Sequence, residues 1–189
     1  MKNTSPQSKF KKAFNLPYQL GIYLAANAVS DSVVVVDGLN CVMPKIDFLA
    51  GNHDLNSTLL SPDGAHRIIC TMTGPLPQGN NPEKKLSALL GSLAGSGGFS
   101  VILVTGLPFL KLAGMDYEGL AAGIKGGCPV VDVPAGPFEA DWLAGYAMAL
   151  DALARSAVAG GMKTRKRTAS GNRKVSVALA GYFMDRNER

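Results

Sequence analysis

The chain has few residues of the kinds that hold metals or cross-link small folds. Its 189 residues include only three cysteines and two histidines. An odd number of cysteines, in no zinc-finger spacing, argues against a disulfide framework and against a structural zinc site. No apolar run reaches the ~20 residues that span a bilayer, and the polar, basic start of the chain lacks the apolar core of a secretory signal. We therefore expect a cytoplasmic protein without a membrane partner.

Phosphate-binding loops are also missing. No Walker sequence occurs, and Gly95-Ser96-Gly97-Gly98 precedes an apolar run instead of following one. A dinucleotide loop follows a strand and opens a helix, so this glycine cluster is interpreted as a helix C-cap and turn. His53 and His66 have no acidic partner at a recognisable spacing and are interpreted as surface or turn residues. The sequence therefore gives no support for the hypothesis that the chain is a nucleotide-binding enzyme.

The basic charge lies in two short stretches. The net charge is +5, but Lys2, Lys9, Lys11 and Lys12 lie in the first 12 residues, and six further basic residues lie between Lys163 and Lys174. Neither stretch contains an acid, so the remaining chain is acidic. The run Lys163–Arg167 lacks aromatic residues that could stack on bases. It is interpreted as a solvated connector, and we do not expect nucleic-acid binding.

Apolar runs alternate with segments of helical periodicity. The predicted strands are Val33–Val36, Arg67–Thr71, Ser100–Val104, Pro129–Val133 and Val175–Ala180. The predicted helices are Leu16–Ala28, Met43–Asn52, Glu83–Leu93, Asp116–Ile124 and Glu139–Ala159. In the last helix, one side carries the apolar residues Leu143, Tyr146, Leu150, Leu153 and Ala157. This order predicts an α/β fold in which helices wrap a parallel sheet of about four to five strands.

The same pattern divides the chain into four parts. Residues 1–15 are predicted to be a disordered basic arm, and residues 16–159 a Rossmann-like α/β domain. Residues 160–174 form a basic, Gly-rich linker with nothing apolar to bury. Residues 175–189 then contain a strand without its following helix, as expected for the first strand of a second, truncated domain.

Ligands of such folds bind outside the carboxyl ends of the strands. Four loops should therefore meet at one edge of the sheet: Asp37–Cys41, Thr71–Asn81, Thr105–Leu112 and Pro134–Glu139. Gly106 and Pro108 indicate that the third of these is an irregular loop.

Two of these loops carry a family resemblance. The segment Val36–Cys41 resembles the H-G-P-x-G-C loop of nitrogenase component 1-type oxidoreductases, with Asp37 and Asn40 in place of the family's His and second Gly. The segment Thr105–Asp116 is similar to the family's third cysteine loop, with Leu107 where the family has a cysteine. The order and spacing of these and looser matches extend over roughly residues 16–189.

The resemblance implies an oxidoreductase subunit that passes electrons through an iron–sulfur cluster. It implies Cys41 as the cofactor-binding residue and metal ligand, and as partners a second component 1-like subunit or a second copy of the chain, with an ATP-dependent iron–sulfur reductase as electron donor. The family's first cysteine would fall near Phe14–Pro17, which has none.

Two alternatives stay open. Cys41 also fits a small buried apolar residue, and Cys70 and Cys128 are interpreted as core residues, the latter at the opposite edge of the sheet. Because two of the family's ligands are missing, the chain is also consistent with a non-catalytic scaffold or partner-binding subunit of the same fold.

Overall fold

The computed structural model describes residues 16–39, 43–52, 57–61, 63–74, 81–137 and 139–160. Cys41, the predicted arm 1–15, all but the first residue of the predicted linker and the predicted strand Val175–Ala180 lie outside the described residues.

Four strands and six helices are described, and they alternate along the chain except that two helices separate β3 from β4. The strands are β1 (Ser32–Asp37), β2 (Ile68–Cys70), β3 (Val101–Gly106) and β4 (Val130–Asp132). The helices are α1 (Tyr18–Ala28), α2 (Met43–Asn52), α3 (Pro82–Gly95), α4 (Pro108–Leu112), α5 (Tyr117–Gly123) and α6 (Trp142–Ala159). The predicted α/β class is confirmed, and α2 has the predicted bounds.

All described strands are parallel and lie in the order β2-β1-β3-β4. The two central strands, β1 and β3, are buried along their whole length. Their near-continuous Val, Ile and Leu content follows from this position, since a central parallel strand is covered on both faces.

Successive side chains of β1 enter two separate cores. Val34 and Val36 pack with α1, α2 and α6, whereas Val33 and Val35 pack with α3 and α5. The twofold periodicity of a strand produces this division. The helices on each face then supply the remaining apolar side chains.

Close contact between α1 and α6 depends on two glycines. A Cβ atom at Gly21 would lie 1.8 Å from the carbonyl oxygen of Trp142, and one at Gly145 would lie 2.0 Å from that of Tyr18. Only glycine lets the two backbones approach this closely. This contact fixes the long helix α6 against the sheet.

At the amino edge of the sheet, the buried side chain of Arg67 forms hydrogen bonds to three backbone carbonyls. Its Nη1 donates to the carbonyl oxygens of Ala26, Val29 and Ser32 at 3.2, 2.9 and 3.0 Å. Carbonyls at the end of a helix have no intrahelical donor, and a cation there is favoured by the helix dipole. Arg67 therefore caps α1 and links it to the start of β1.

Three helix starts can be compared with the sequence. Asp116 caps α5 as predicted, accepting from the Gly119 N–H at 2.9 Å. Asp141 caps α6, which begins at Trp142 and not at Glu139. The prediction of an irregular loop over Thr105–Leu112 was wrong in part, because Pro108 occupies the first turn of α4. Proline is well suited to that position.

Within the described ranges, no helix combines the length and the apolarity that crossing a membrane requires.

Candidate functional site

The carboxyl edge of the sheet carries a row of polar groups on the face covered by α3 and α5. Asp37 ends β1, Thr71 directly follows β2, and Asp132 ends β4. All three share the face of Val33 and Val35, since alternate residues of a strand point the same way. Gly106 occupies the corresponding position at the end of β3, next to Asp37 in the register.

Asp37 lies at the centre of this row. Its buried carboxylate accepts from the Tyr117 hydroxyl at 2.9 Å and from the Thr71 hydroxyl. Thr71 Oγ1 in turn accepts from the Gly38 N–H at 3.1 Å, and the Leu107 N–H donates to the Asp37 carbonyl at 2.9 Å. These bonds join the ends of β1, β2 and β3 to α5. We call them the Asp37 network.

Tyr117 reaches Asp37 by crossing over Gly106. A Cβ atom at Gly106 would lie 2.3 Å from the Tyr117 hydroxyl oxygen, so a larger residue would displace the ring. Burial, followed by the negative charge of Asp37 and the hydrogen bond to it, raises the pKa of Tyr117 well above its usual range. Tyr117 is therefore a permanent donor to Asp37.

Asp132 has a different environment. Burial, then the charge of Glu118, raises its pKa to about 6, with Lys111 opposing the shift and Asp116 adding to it. Its Oδ1 atom is buried and accepts no hydrogen bond from the described residues. A carboxyl group of this pKa exchanges its proton near neutral pH, as general acids and bases do.

The cysteines occupy opposite edges of the sheet. Cys70 ends β2 and is half-buried against the core, and its Sγ donates to the carbonyl oxygens of Gly38 and Leu39 at 3.2 and 3.3 Å. Cys128 lies at the amino edge, where its N–H donates to the Ala94 carbonyl at 3.2 Å. Burial raises the pKa of the Cys128 thiol. Both pack against apolar clusters as predicted, but Cys70 also contacts the loop after β1.

Leu107 is buried where the family resemblance places a cysteine. Its side chain fills the space beside Gly38, where a Cβ atom would lie 2.4 Å from Leu107 Cδ1. Gly38 also has a φ of 152°, which disfavours any other residue. Among the described residues, no three His, Cys, Asp or Glu side chains come together in a way that could hold a metal ion.

The predicted convergence of loops is confirmed for the described parts of three of them. Asp37, Thr71 and Leu107 meet through the Asp37 network. The sequence analysis missed Tyr117 and Asp132. A signal existed for Asp132, because it is the single charged residue inside the predicted strand Pro129–Val133. No signal pointed to Tyr117, whose role depends on the crossing over Gly106.

Three exposed apolar side chains follow strands that end at this edge. Leu39, Met72 and Leu112 have exposed fractions of 42%, 57% and 81% and belong to the segments after β1, β2 and β3. These three strands are neighbours in the sheet. Met72 also has a φ of 62°, a left-handed conformation that is uncommon outside glycine. We call Leu39, Met72 and Leu112 the apolar rim.

Asp132 predicts a pH dependence of stability. Its pKa is higher in the folded chain, so the folded state binds the proton more tightly, and stability falls as the pH rises from about 4 through about 6. Asp132→Asn should therefore have a higher urea midpoint than the wild type above about pH 6, with the difference vanishing below about pH 4. A difference that does not change with pH would contradict this origin.

No protein-family profile and no curated protein sequence matches the chain. Among solved structures, it is similar to a chain described as "Nitrogenase Cp1 at pH 6.5", with a TM-score of 0.56 and 9% sequence identity. The match covers 75% of this chain and 30% of that chain. At this identity the likeness concerns the fold alone, and the described domain has a nitrogenase-like α/β fold.

Proposed function

We propose that the chain is a nitrogenase component 1-like subunit whose carboxyl edge binds a second subunit of the same fold. A second copy of this chain is the form that we propose, because most oligomers pair identical subunits. The observation that carries the proposal is the apolar rim, which exposes one large apolar side chain from each of the three segments that follow the neighbouring strands β1, β2 and β3. This function corresponds to the partner-binding alternative of the sequence analysis.

The Asp37 network holds the backbone beside two of the three rim residues, Leu39 and Met72. Gly38, which precedes Leu39, donates to Thr71, and Thr71 precedes Met72. The Thr73 N–H also donates to Thr71 Oγ1, at 3.3 Å. Because the segments of Leu39 and Met72 are held by hydrogen bonds before a partner arrives, their ordering costs little conformational entropy on association. A preformed apolar surface favours binding of a protein partner.

The described residues do not fit an iron–sulfur cluster held by this chain alone. Such clusters are usually bound by four cysteine thiolates. Leu107 offers no ligand atom, and Cys128 lies at the far edge. Cys70 is the single thiol that the described part of the chain presents at the carboxyl edge, and its Sγ is hydrogen-bonded to backbone carbonyls.

Iron–sulfur electron transfer is the second candidate function, with Cys41 as the ligand. Its support is that the Cys70 thiol contacts the carbonyl of Leu39, two residues before Cys41 in the sequence. A cluster would then be shared, with the partner subunit supplying the missing ligands. An ATP-dependent iron–sulfur reductase would be the electron donor, as the family resemblance implies.

The apolar rim predicts that association depends on Leu112. Light scattering after size exclusion should give a dimer mass for the wild-type chain. Leu112→Ser should weaken association about tenfold or more, because a leucine buried at an interface contributes roughly 1.5–3 kcal/mol. Val158→Ser is the matched control, since Val158 is equally exposed, at 81%, but lies at the far end of α6. A monomeric wild type, or equal effects of the two changes, would disprove the proposed interface.

The cluster is tested separately by iron analysis. Protein purified without oxygen should contain iron, and Cys41→Ala should lose it while keeping its fold by circular dichroism. Cys128→Ala is the control and should retain the iron. Absence of iron from the wild type would exclude the second candidate function and leave the interface proposal standing.

A further inference from the structure

Met72 is the one residue of the apolar rim whose side chain can change its chemistry. The other two rim residues are leucines, whereas Met72 carries a thioether sulfur that oxidants convert into a sulfoxide. Of the methionines in the described part of the chain, Met72 is the most exposed, at 57%, and Met148 on α6 follows at 39%. Met43 and Met115 are partly buried against the two cores. Exposure therefore favours oxidation at Met72.

The backbone of Met72 is held on both sides. The preceding residue, Thr71, donates its N–H to the Val36 carbonyl at 3.1 Å, and its Oγ1 accepts from the Gly38 N–H at 3.1 Å. The following residue, Thr73, places its Oγ1 2.9 Å from Thr71 Oγ1. Between them, Met72 has its left-handed φ of 62°, which a residue other than glycine keeps only where its surroundings impose it. The neighbouring hydrogen bonds thus hold Met72 at the surface.

The segment of Met72 adjoins Leu39. A Cβ atom at Gly74 would lie 3.9 Å from Leu39 Cδ2, and Cys70 Sγ donates to the Leu39 carbonyl at 3.3 Å. The residues two positions before and after Met72 therefore both lie against Leu39. A polar group introduced at Met72 would change the same apolar surface to which Leu39 belongs.

We propose that Met72 is an oxidation site whose sulfoxide opposes the pairing of two copies through the apolar rim, an inference that rests on the proposed function. With a peroxide as oxidant, the thioether sulfur forms an S–O bond while the O–O bond breaks, and the released hydroxide takes up a proton to give water. The sulfur loses two electrons and the peroxide gains them. Burying the polar sulfoxide oxygen at the interface without a hydrogen-bond donor disfavours association. Methionine sulfoxide reductases restore the thioether.

The interface should in turn protect Met72 from oxidation. A partner on the apolar rim covers Met72, so the reaction proceeds through the free chain. The oxidation rate of Met72 should therefore fall as the protein concentration rises above the dissociation constant of the dimer. Met148 lies on α6 and not in the rim, so its oxidation rate should not depend on protein concentration.

Treatment of the full-length chain with hydrogen peroxide tests the proposal, with oxidation mapped by peptide mass spectrometry and association measured by light scattering. In dilute wild-type protein, Met72 should be oxidised before Met148. Full conversion of Met72 should weaken the dimer about tenfold or more, because a buried polar group loses its partner water. Methionine sulfoxide reductases acting on both sulfoxide epimers should then restore the affinity.

Two variants assign the effect to one sulfur. Met72→Leu cannot form a sulfoxide, so its own affinity should change by less than about twofold on peroxide treatment. This variant keeps all the cysteines, so it also accounts for thiol oxidation. Met148→Leu is the matched control and should lose affinity on treatment as the wild type does.

Oxidation of Met148 ahead of Met72, or a dimer that keeps its affinity after full conversion of Met72, would overturn this inference and leave the interface standing. An equal loss of affinity in Met72→Leu would also overturn it, because another residue would then be responsible. A wild type that is monomeric before peroxide is added would disprove the interface itself, and this inference with it.

Discussion

The carboxyl edge depends on the buried carboxylate of Asp37. A charge removed from water has to be compensated by hydrogen bonds, and the hydroxyls of Tyr117 and Thr71 provide them. Each donor belongs to a different element, so satisfying one carboxylate fixes the relative position of β1, the segment after β2 and α5. The absence of a side chain at Gly106 follows from the same requirement, since the Tyr117 ring occupies that space.

Each edge of the sheet is stabilised by one buried charged side chain that forms several hydrogen bonds, and the two charges have opposite signs. At the amino edge, Arg67 donates hydrogen bonds to backbone carbonyls. At the carboxyl edge, Asp37 accepts hydrogen bonds from hydroxyl groups. Between them, the central strands bury mainly apolar side chains, with Thr105 as a buried polar residue in β3. At the carboxyl edge, hydrogen bonds hold the segments that expose Leu39 and Met72, and helix α4 exposes Leu112, the third residue of the apolar rim. A rigid edge of this kind suits recognition of a protein surface.

The sequence was sufficient for the fold because its signals are local. Four consecutive valines, Val33–Val36, indicate a buried strand, and the alternation of strands with helices indicates a parallel sheet. The loop prediction was wrong in part at Pro108, which can either end regular structure or begin a helix. The site was less predictable because it depends on contacts between distant residues: Tyr117 and Asp37 are 80 positions apart. Cys41, the one ligand that the family resemblance suggested, lies outside the described residues.

The coupling between Asp37 and Tyr117 tests this account most directly, through a double-mutant cycle measured by urea unfolding. Asp37→Asn, Tyr117→Phe and the double variant should show a coupling free energy of about 1.5–3 kcal/mol, as expected for a buried hydrogen bond to a charged group. Effects that add within about 0.5 kcal/mol would show that the two residues stabilise the fold independently, and would contradict the central role of the Asp37 network.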